Sequence, residues 1–290
     1  MRAGGERVRC YGRAAMRCLY VDLDGTLLGP DASLVTGADG RFSLLGARAL
    51  EACARADVEV VIYSGRKQSS VFEAARLIGT SAYIFELGCG LILDGELEWL
   101  TDGLEPSAEA GTIYDQIEAS GAPAVLLEHF AGRLEPHTPW SALRDVSHLF
   151  RGDVGLAEAA AVLEAAGLSW LRLVDNGVIP EARPLGIMPG LEIVRAYHLI
   201  PAGSSKARAV ARHMQARGYP RSDCIAAGDS REDIETADVV GTFWLMANAL
   251  HRDPKLEGEI GGRSGVRLAS KGYGAGVYEA VVTTLAERRG

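Results

Sequence analysis

The sequence predicts an α/β fold, a doubly wound parallel sheet carrying an inserted α+β domain, and three observations lead there. Short apolar runs recur at Cys18–Val21, Val58–Tyr63, Ala82–Phe85 and Cys224–Ala227, and they read as buried strands. Three of the runs end in polar tips: Asp22-Leu23-Asp24-Gly25-Thr26, Ser64-Gly65-Arg66-Lys67, and Gly228-Asp229-Ser230-Arg231-Glu232-Asp233. Ligands in open α/β sheets bind beyond the carboxyl ends of the strands, so these tips point at one site. Finally, about 140 residues separate Ser64 from the helix that opens at Lys206, far more than short connections require.

The elements follow in order. Met1–Ala15 is basic and Gly-rich but lacks the apolar core of a secretory signal. It is expected to be a disordered arm or the product of an upstream start site, without a function. A sheet domain is expected over 16–87 and 199–290, with a helix after Gly65 and another, rich in Ala and Arg, after Ser204-Ser205. The insert is expected over 88–198, long enough to be a domain of its own. It opens with a hairpin at Leu91–Trp99 turning on Asp94-Gly95, then a helix near Glu109–Ala119. Strands are predicted at Ala124–Glu128 and Val146–Phe150, a helix at Leu156–Ala166, and strands at Leu171–Val174 and Leu191–Tyr197. Gly88-Cys89-Gly90 stands at the first crossing, where small residues serve a hinge, a close approach or a simple turn. No internal repeat or low-complexity tract is present.

Chemistry concentrates at the tips. Asp22 and Asp24 are one residue apart at the end of an apolar run, and alternation along a strand puts both on one face. Crowding two acids there is costly unless a cation or a reaction needs them. The ordered set Asp22-Leu23-Asp24-Gly25-Thr26, Ser64, Lys206 and Gly228–Asp233 resembles the haloacid dehalogenase-like (HAD) phosphohydrolase superfamily at each of its four motifs. The resemblance spans residues 22 to 233 and implies a Rossmann-like core. The insert between the second and third motifs is similar to the type IIB cap of sucrose-phosphatase, Cof-like and mannosyl-3-phosphoglycerate phosphatases.

The resemblance implies that Asp22 is a nucleophile forming an aspartyl-phosphate and that Asp24 is the acid/base. It places Mg²⁺ on Asp22, Asp229 and the backbone carbonyl of Asp24. Chemistry agrees: carboxylates are usable nucleophiles toward phosphorus, and hard oxygen ligands suit Mg²⁺. Lys206 is a point charge and Ser64 a hydrogen-bond donor for phosphoryl oxygens. Asp233 either serves the metal or caps the helix that follows. Many relatives carry Asn-Asp where this chain has Glu232-Asp233, so Glu232 sits in the metal shell, tightens Mg²⁺ binding, or faces solvent.

Candidate substrate contacts are Gly65 and Arg66 beside the site, and Arg144 and Arg151, which flank an apolar segment and suit a sugar acid or phosphate. Lys67, Glu128, His129, His137, His148 and Arg172 complete the set. The expected activity is hydrolysis of a small phosphorylated sugar or sugar acid; a phosphohexomutase would use the same nucleophile and acid/base pair. A response-regulator receiver also carries acids, Ser/Thr and Lys on such a sheet, but has no insert of this size.

Composition narrows the classes. The chain has 290 residues, 48% of them hydrophobic and 23% charged, as in ordinary globular proteins. No apolar run approaches the ~20 residues of a membrane span. A net charge of −8 argues against a general nucleic-acid binder. Five cysteines without a C-x-x-C pair read as free buried thiols in a reducing, cytoplasmic compartment, and zinc is not expected.

Overall fold

The computed structural model describes residues 15–179, 191 and 193–289. The segment Met1–Ala15 therefore lies, apart from Ala15, outside the described residues. The chain enters through β1 (Cys18–Val21), whose four residues are all buried. α1 (Leu45–Arg55), β2 (Glu59–Tyr63), α2 (Gln68–Ile78) and β3 (Ala82–Phe85) follow, then the hairpin β4 (Gly90–Leu93) and β5 (Glu96–Trp99). Next come α3 (Ile113–Ala119), α4 (Ala122–His129), β6 (Leu134–Pro136), β7 (His148–Gly152), α5 (Leu156–Ala165), β8 (Leu171–Val178) and β9 (Arg195–Pro201). The chain returns through α6 (Lys206–Arg217), β10 (Cys224–Gly228), α7 (Arg231–Ile234), β11 (Thr242–Leu245), α8 (Ala247–Arg252), α9 (Leu256–Ile260), β12 (Val266–Leu268) and α10 (Tyr273–Arg289).

Eight strands form one sheet in the order β12-β11-β10-β1-β2-β3-β4-β5, parallel from β12 to β3. Its two faces bury separate apolar clusters, one around Leu19, Val21 and Ile62, the other around Tyr20, Val61 and Ala226. Burial on both faces is why these strands read as continuous apolar runs. The strand order reverses between β1 and β10, and a crevice opens at such a switch point.

A second, antiparallel sheet runs β6-β7-β9-β8 and shares a third core with α3, α4 and α5. Two readings of this region are corrected. The segment Ala124–Glu128 is part of α4, not a strand: Gly121 and Pro123 start a helix, and Ala, Leu and Glu favour it. The 91–99 hairpin belongs to the large sheet, because β4 pairs antiparallel with β3 rather than with any strand of the insert. The strand sought at Leu191–Tyr197 is β9, starting four residues later, and Glu192 lies outside the described residues. At the first crossing Gly88 has φ +90°, and a Cβ there would lie 2.1 Å from the Ser205 carbonyl oxygen. The glycine permits a close approach to the start of α6.

Candidate active site

Each polar tip leaves its strand at the same edge of the large sheet. Asp22 follows β1, Ser64 follows β2 and Asp229 follows β10. With Asp24, Gly65, Arg66 and Arg144 they line a cavity of about 730 Å³. Gly25 turns the chain directly after Asp24 at φ +85°; a Cβ there would stand 2.1 Å from Asp229 Oδ2, so only glycine fits.

Lys206, the first residue of α6 and fully buried, donates from Nζ to Asp22 Oδ1 at 2.9 Å and to Asp233 Oδ1 at 2.7 Å. Ser205 caps that helix by accepting from the Arg208 amide, which fixes where Lys206 begins its path to the site. Asp233 is itself committed: its Oδ2 accepts from the Asp229 and Ser230 amides and from Ser230 Oγ. It completes a capping box at the start of α7. Asp229 accepts from Thr26 Oγ1 at 3.1 Å and from Arg252 Nη1 at 2.9 Å. Asn248 Nδ2 donates to the Gly25 carbonyl at 2.8 Å and holds the loop that carries Asp24.

Three oxygen donors, one each from Asp22, Asp229 and Asp233, lie within 4.8 Å of one another. Burial pushes the Asp22 carboxyl well up, with Lys206 opposing and Asp233 and Asp229 adding to the rise. Burial likewise lifts Asp229 to about 7, against the pull of Arg252. Lys206 moves upward too, because Asp22 and Asp233 outweigh its own burial. Counted as ionised, the three carboxylates outnumber the two cations they face, Lys206 and Arg252, and their mutual repulsion adds to burial in raising Asp22 and Asp229. An all-oxygen donor set with an excess of negative charge fits a hard divalent cation such as Mg²⁺. Asp22 and Asp229 are the side chains with most capacity to hold it: Asp22 is engaged at one oxygen and each Asp229 oxygen accepts a single bond, whereas Asp233 Oδ2 already accepts three.

Asp24 is about half exposed and gripped by the Arg66 fork, at 2.6 Å from Nε and 2.5 Å from Nη2. Ser64 Oγ accepts from the Arg66 amide at 3.2 Å, and Arg144 Nη2 donates to the Gly65 carbonyl at 2.6 Å. Arg144 thus reaches the site from the second domain, although its guanidinium is already spent on Gly65 and Ser147. His137 also lines the cavity; burial, with Arg151 and Arg144 nearby, depresses it to about 4 and keeps it neutral.

Other candidates do not converge. Arg151 does not line the cavity but pairs with buried Glu135 at 2.6 Å across the β6–β7 rung. His129 pairs with Glu158 on the surface, Glu128 is exposed on α4, and His148 stacks on Tyr114. Arg172 donates to Glu232 at 3.2 Å, so Glu232 is neither solvent-facing nor among the clustered metal donors. It joins α7 to β8, and burial, reinforced by Glu235, lifts it to about 7. Sequence reasoning missed Arg252, Asn248, Asn176, Arg195 and His198. Their contacts cross long stretches of chain, and no local spacing marks them.

Glu86 was also missed. It is completely buried, in left-handed backbone at φ 46°, and accepts from the Asp145, Val146 and Ser147 amides at 2.8, 3.2 and 2.5 Å. Arg144 stands 3.6 Å away. This carboxylate ties the 137–147 wall of the cavity to the large sheet. Glu86→Gln keeps the shape but turns an amide donor toward backbone donors. It is expected to cost about 1–3 kcal/mol in urea unfolding; unchanged stability would remove this anchoring role.

A sequence profile of haloacid dehalogenase-like hydrolases matches residues 195–252. The chain is 25% identical to a phosphoglycolate phosphatase of Methanoculleus marisnigri over 272 residues, covering 92% of this chain and 95% of that protein. It is 24% identical to a pyridoxal phosphate phosphatase of Escherichia coli, covering 80% and 88%. Among solved structures, the sucrose-phosphatase of Synechocystis superposes with a TM-score of 0.64 at 16% identity, over 93% of this chain and 98% of that one.

Proposed function

Because this chain belongs to the haloacid dehalogenase-like hydrolases with an inserted cap and is a phosphatase, we propose that it is a Mg²⁺-dependent phosphomonoesterase working through an aspartyl-phosphate. Its substrate is a small phosphorylated sugar or sugar acid. The observation that carries this reading is Asp22, held at one oxygen by Lys206 on the wall of the cavity.

Asp22 attacks phosphorus, the new bond forms from its carboxylate oxygen, and the ester P–O bond breaks. Once freed from the Arg66 fork, which engages both of its oxygens here, a protonated Asp24 gives the leaving oxygen its proton. As a carboxylate it then takes a proton from the water that attacks the phosphorylated Asp22, releasing phosphate and restoring both groups. Lys206 and Ser64 Oγ would meet the phosphoryl oxygens where charge builds up. Mg²⁺ held by Asp22 and Asp229 would offset the charge of the phosphate as it nears a carboxylate. The second domain, through Arg144 and His137, forms the wall that excludes water and meets the rest of the substrate.

The relatives named phosphoglycolate phosphatase favour a phosphorylated hydroxy acid, and the sucrose-phosphatase fold favours a sugar. The test is phosphate release from phosphoglycolate, a series of phosphosugars and phosphosugar acids, and p-nitrophenyl phosphate, with Mg²⁺ and with EDTA. Release from one or two esters that EDTA abolishes is expected. Phosphoryl transfer between sugar positions with a bisphosphate activator, and no release, would replace this reading with a mutase.

A further inference from the structure

A second cluster of metal-ligating groups lies at the opposite end of the sheet. Cys18, Glu59 and Cys224 are the first residues of β1, β2 and β10 and stand side by side, Cys18 in register with each of the others. His213 of α6 comes down on this row, completely buried. One donor atom each from Cys18, Glu59 and His213 lies within 4.8 Å of the others. Asp22 lies four residue steps beyond Cys18, about 13 Å, so this cluster is distinct from the cavity that holds the candidate catalytic aspartates.

Two buried atoms here lack any hydrogen-bond partner among the described residues, His213 Nε2 and Glu59 Oε2. Nε2 stands 3.6 Å from Glu59 Oε1, beyond hydrogen-bond range. Two ligands at about 2.0–2.2 Å from one tetrahedral ion are spaced roughly 3.3–3.6 Å apart, so the Glu59 carboxylate as a group stands near ligand spacing from Nε2. The outer groups fit as well. His213 Nδ1 is 2.8 Å from Tyr20 Oη, an arrangement that orients the ring and leaves Nε2 as the ligating atom. Arg217 occupies Glu59 Oε1 at 3.0 Å and leaves Oε2 open. Glu59 also lines a cavity of about 300 Å³ with Arg17, Asp57 and Tyr219, an entry path for an ion and a source of a water ligand.

We infer that Cys18, Glu59 and His213 form a binding site for a borderline-soft divalent metal of the zinc class, with Cys224 or water as fourth ligand. Thiolate, imidazole and carboxylate together select zinc over Mg²⁺. The ion would staple β2, β1 and α6, whose first residue is Lys206. No sequence spacing announces the site, because its ligands come from three elements far apart in the chain.

The test uses the full chain, stripped of metal and titrated with Co²⁺ and then Zn²⁺. One equivalent of Co²⁺ is expected to give a thiolate-to-cobalt charge-transfer band that Zn²⁺ abolishes. Oxygen ligands of the catalytic cavity cannot give that band. Cys18→Ser should weaken the band and Cys18→Ser combined with Cys224→Ser should eliminate it, and His213→Gln should weaken binding by more than the roughly 10–100-fold that outer groups contribute. Tyr20→Phe, a milder change, should weaken it about 10–100-fold, and Glu59→Gln decides the matter should the buried variants fail to fold. A wild-type chain that gives no band overturns the proposal. So does a band that persists when Cys18→Ser and Cys224→Ser are combined, or binding that Glu59→Gln and Tyr20→Phe leave unchanged.

Discussion

Replacing Asp22 with Asn is expected to lower turnover on the order of 10⁴-fold or more while the fold persists. The amide is nearly isosteric, so the packing around the end of β1 survives, and Asp233 still receives Lys206 Nζ at 2.7 Å. What disappears is the proposed nucleophile, and with it every step that would depend on a phosphorylated side chain. Asp24→Asn should behave differently, slowing both ester cleavage and breakdown of the intermediate by about 10²–10⁴-fold, because the group that moves the proton is lost and the nucleophile is kept. Acid quenching with radiolabelled substrate separates the two: label should stay on the Asp24 variant and be absent from the Asp22 variant. Normal hydrolysis by Asp22→Asn would end the covalent mechanism.

Lys206→Met should damage stability as well as rate. The ammonium is buried between two carboxylates at 2.9 and 2.7 Å, and Met fills its volume without its charge. Removing one partner of a buried ion pair leaves uncompensated charge at a cost of about 3–5 kcal/mol. That loss should appear in denaturant unfolding in EDTA, where no bound cation offsets the carboxylates. Turnover should fall on the order of 10²–10³-fold through loss of a charge aimed at the phosphoryl oxygens. A variant as stable as the parent in EDTA would mean that the buried pair with Lys206 does not carry the charge assigned to it.

Much of the core was legible because its chemistry is local. Asp22, Ser64 and Asp229 each follow an apolar strand directly, and parallel pairing brings such ends together without further information. The insert was harder to read. Residues 124–128 form a short apolar run whose periodicity does not separate strand from buried helix. The 91–99 hairpin was recognised from its Asp-Gly turn, yet its partner strand depends on tertiary pairing, which turn chemistry does not specify. Arg151 and Arg144 look equivalent on either side of Val146–Phe150. One meets Glu135 across a strand rung and the other reaches Gly65 in the opposite domain.

By itself the sequence determined the α/β class, the long insert, and the strand-end motifs that carry two aspartates, a serine, a lysine and a second acidic tip. These follow from hydrophobic pattern and adjacency, which act over a few residues. Only the tertiary structure decided that Asp233 is consumed by Lys206 and its own helix cap, that Glu232 pairs with Arg172, and that Arg252 steadies Asp229. The same holds for Glu86, which holds the cavity wall, and for the convergence of Cys18, Glu59 and His213. The physical reason is common to all of these. Buried polar groups must find partners, and which partner lies within 3 Å is set by how sheets and helices pack, over separations that local spacing does not encode.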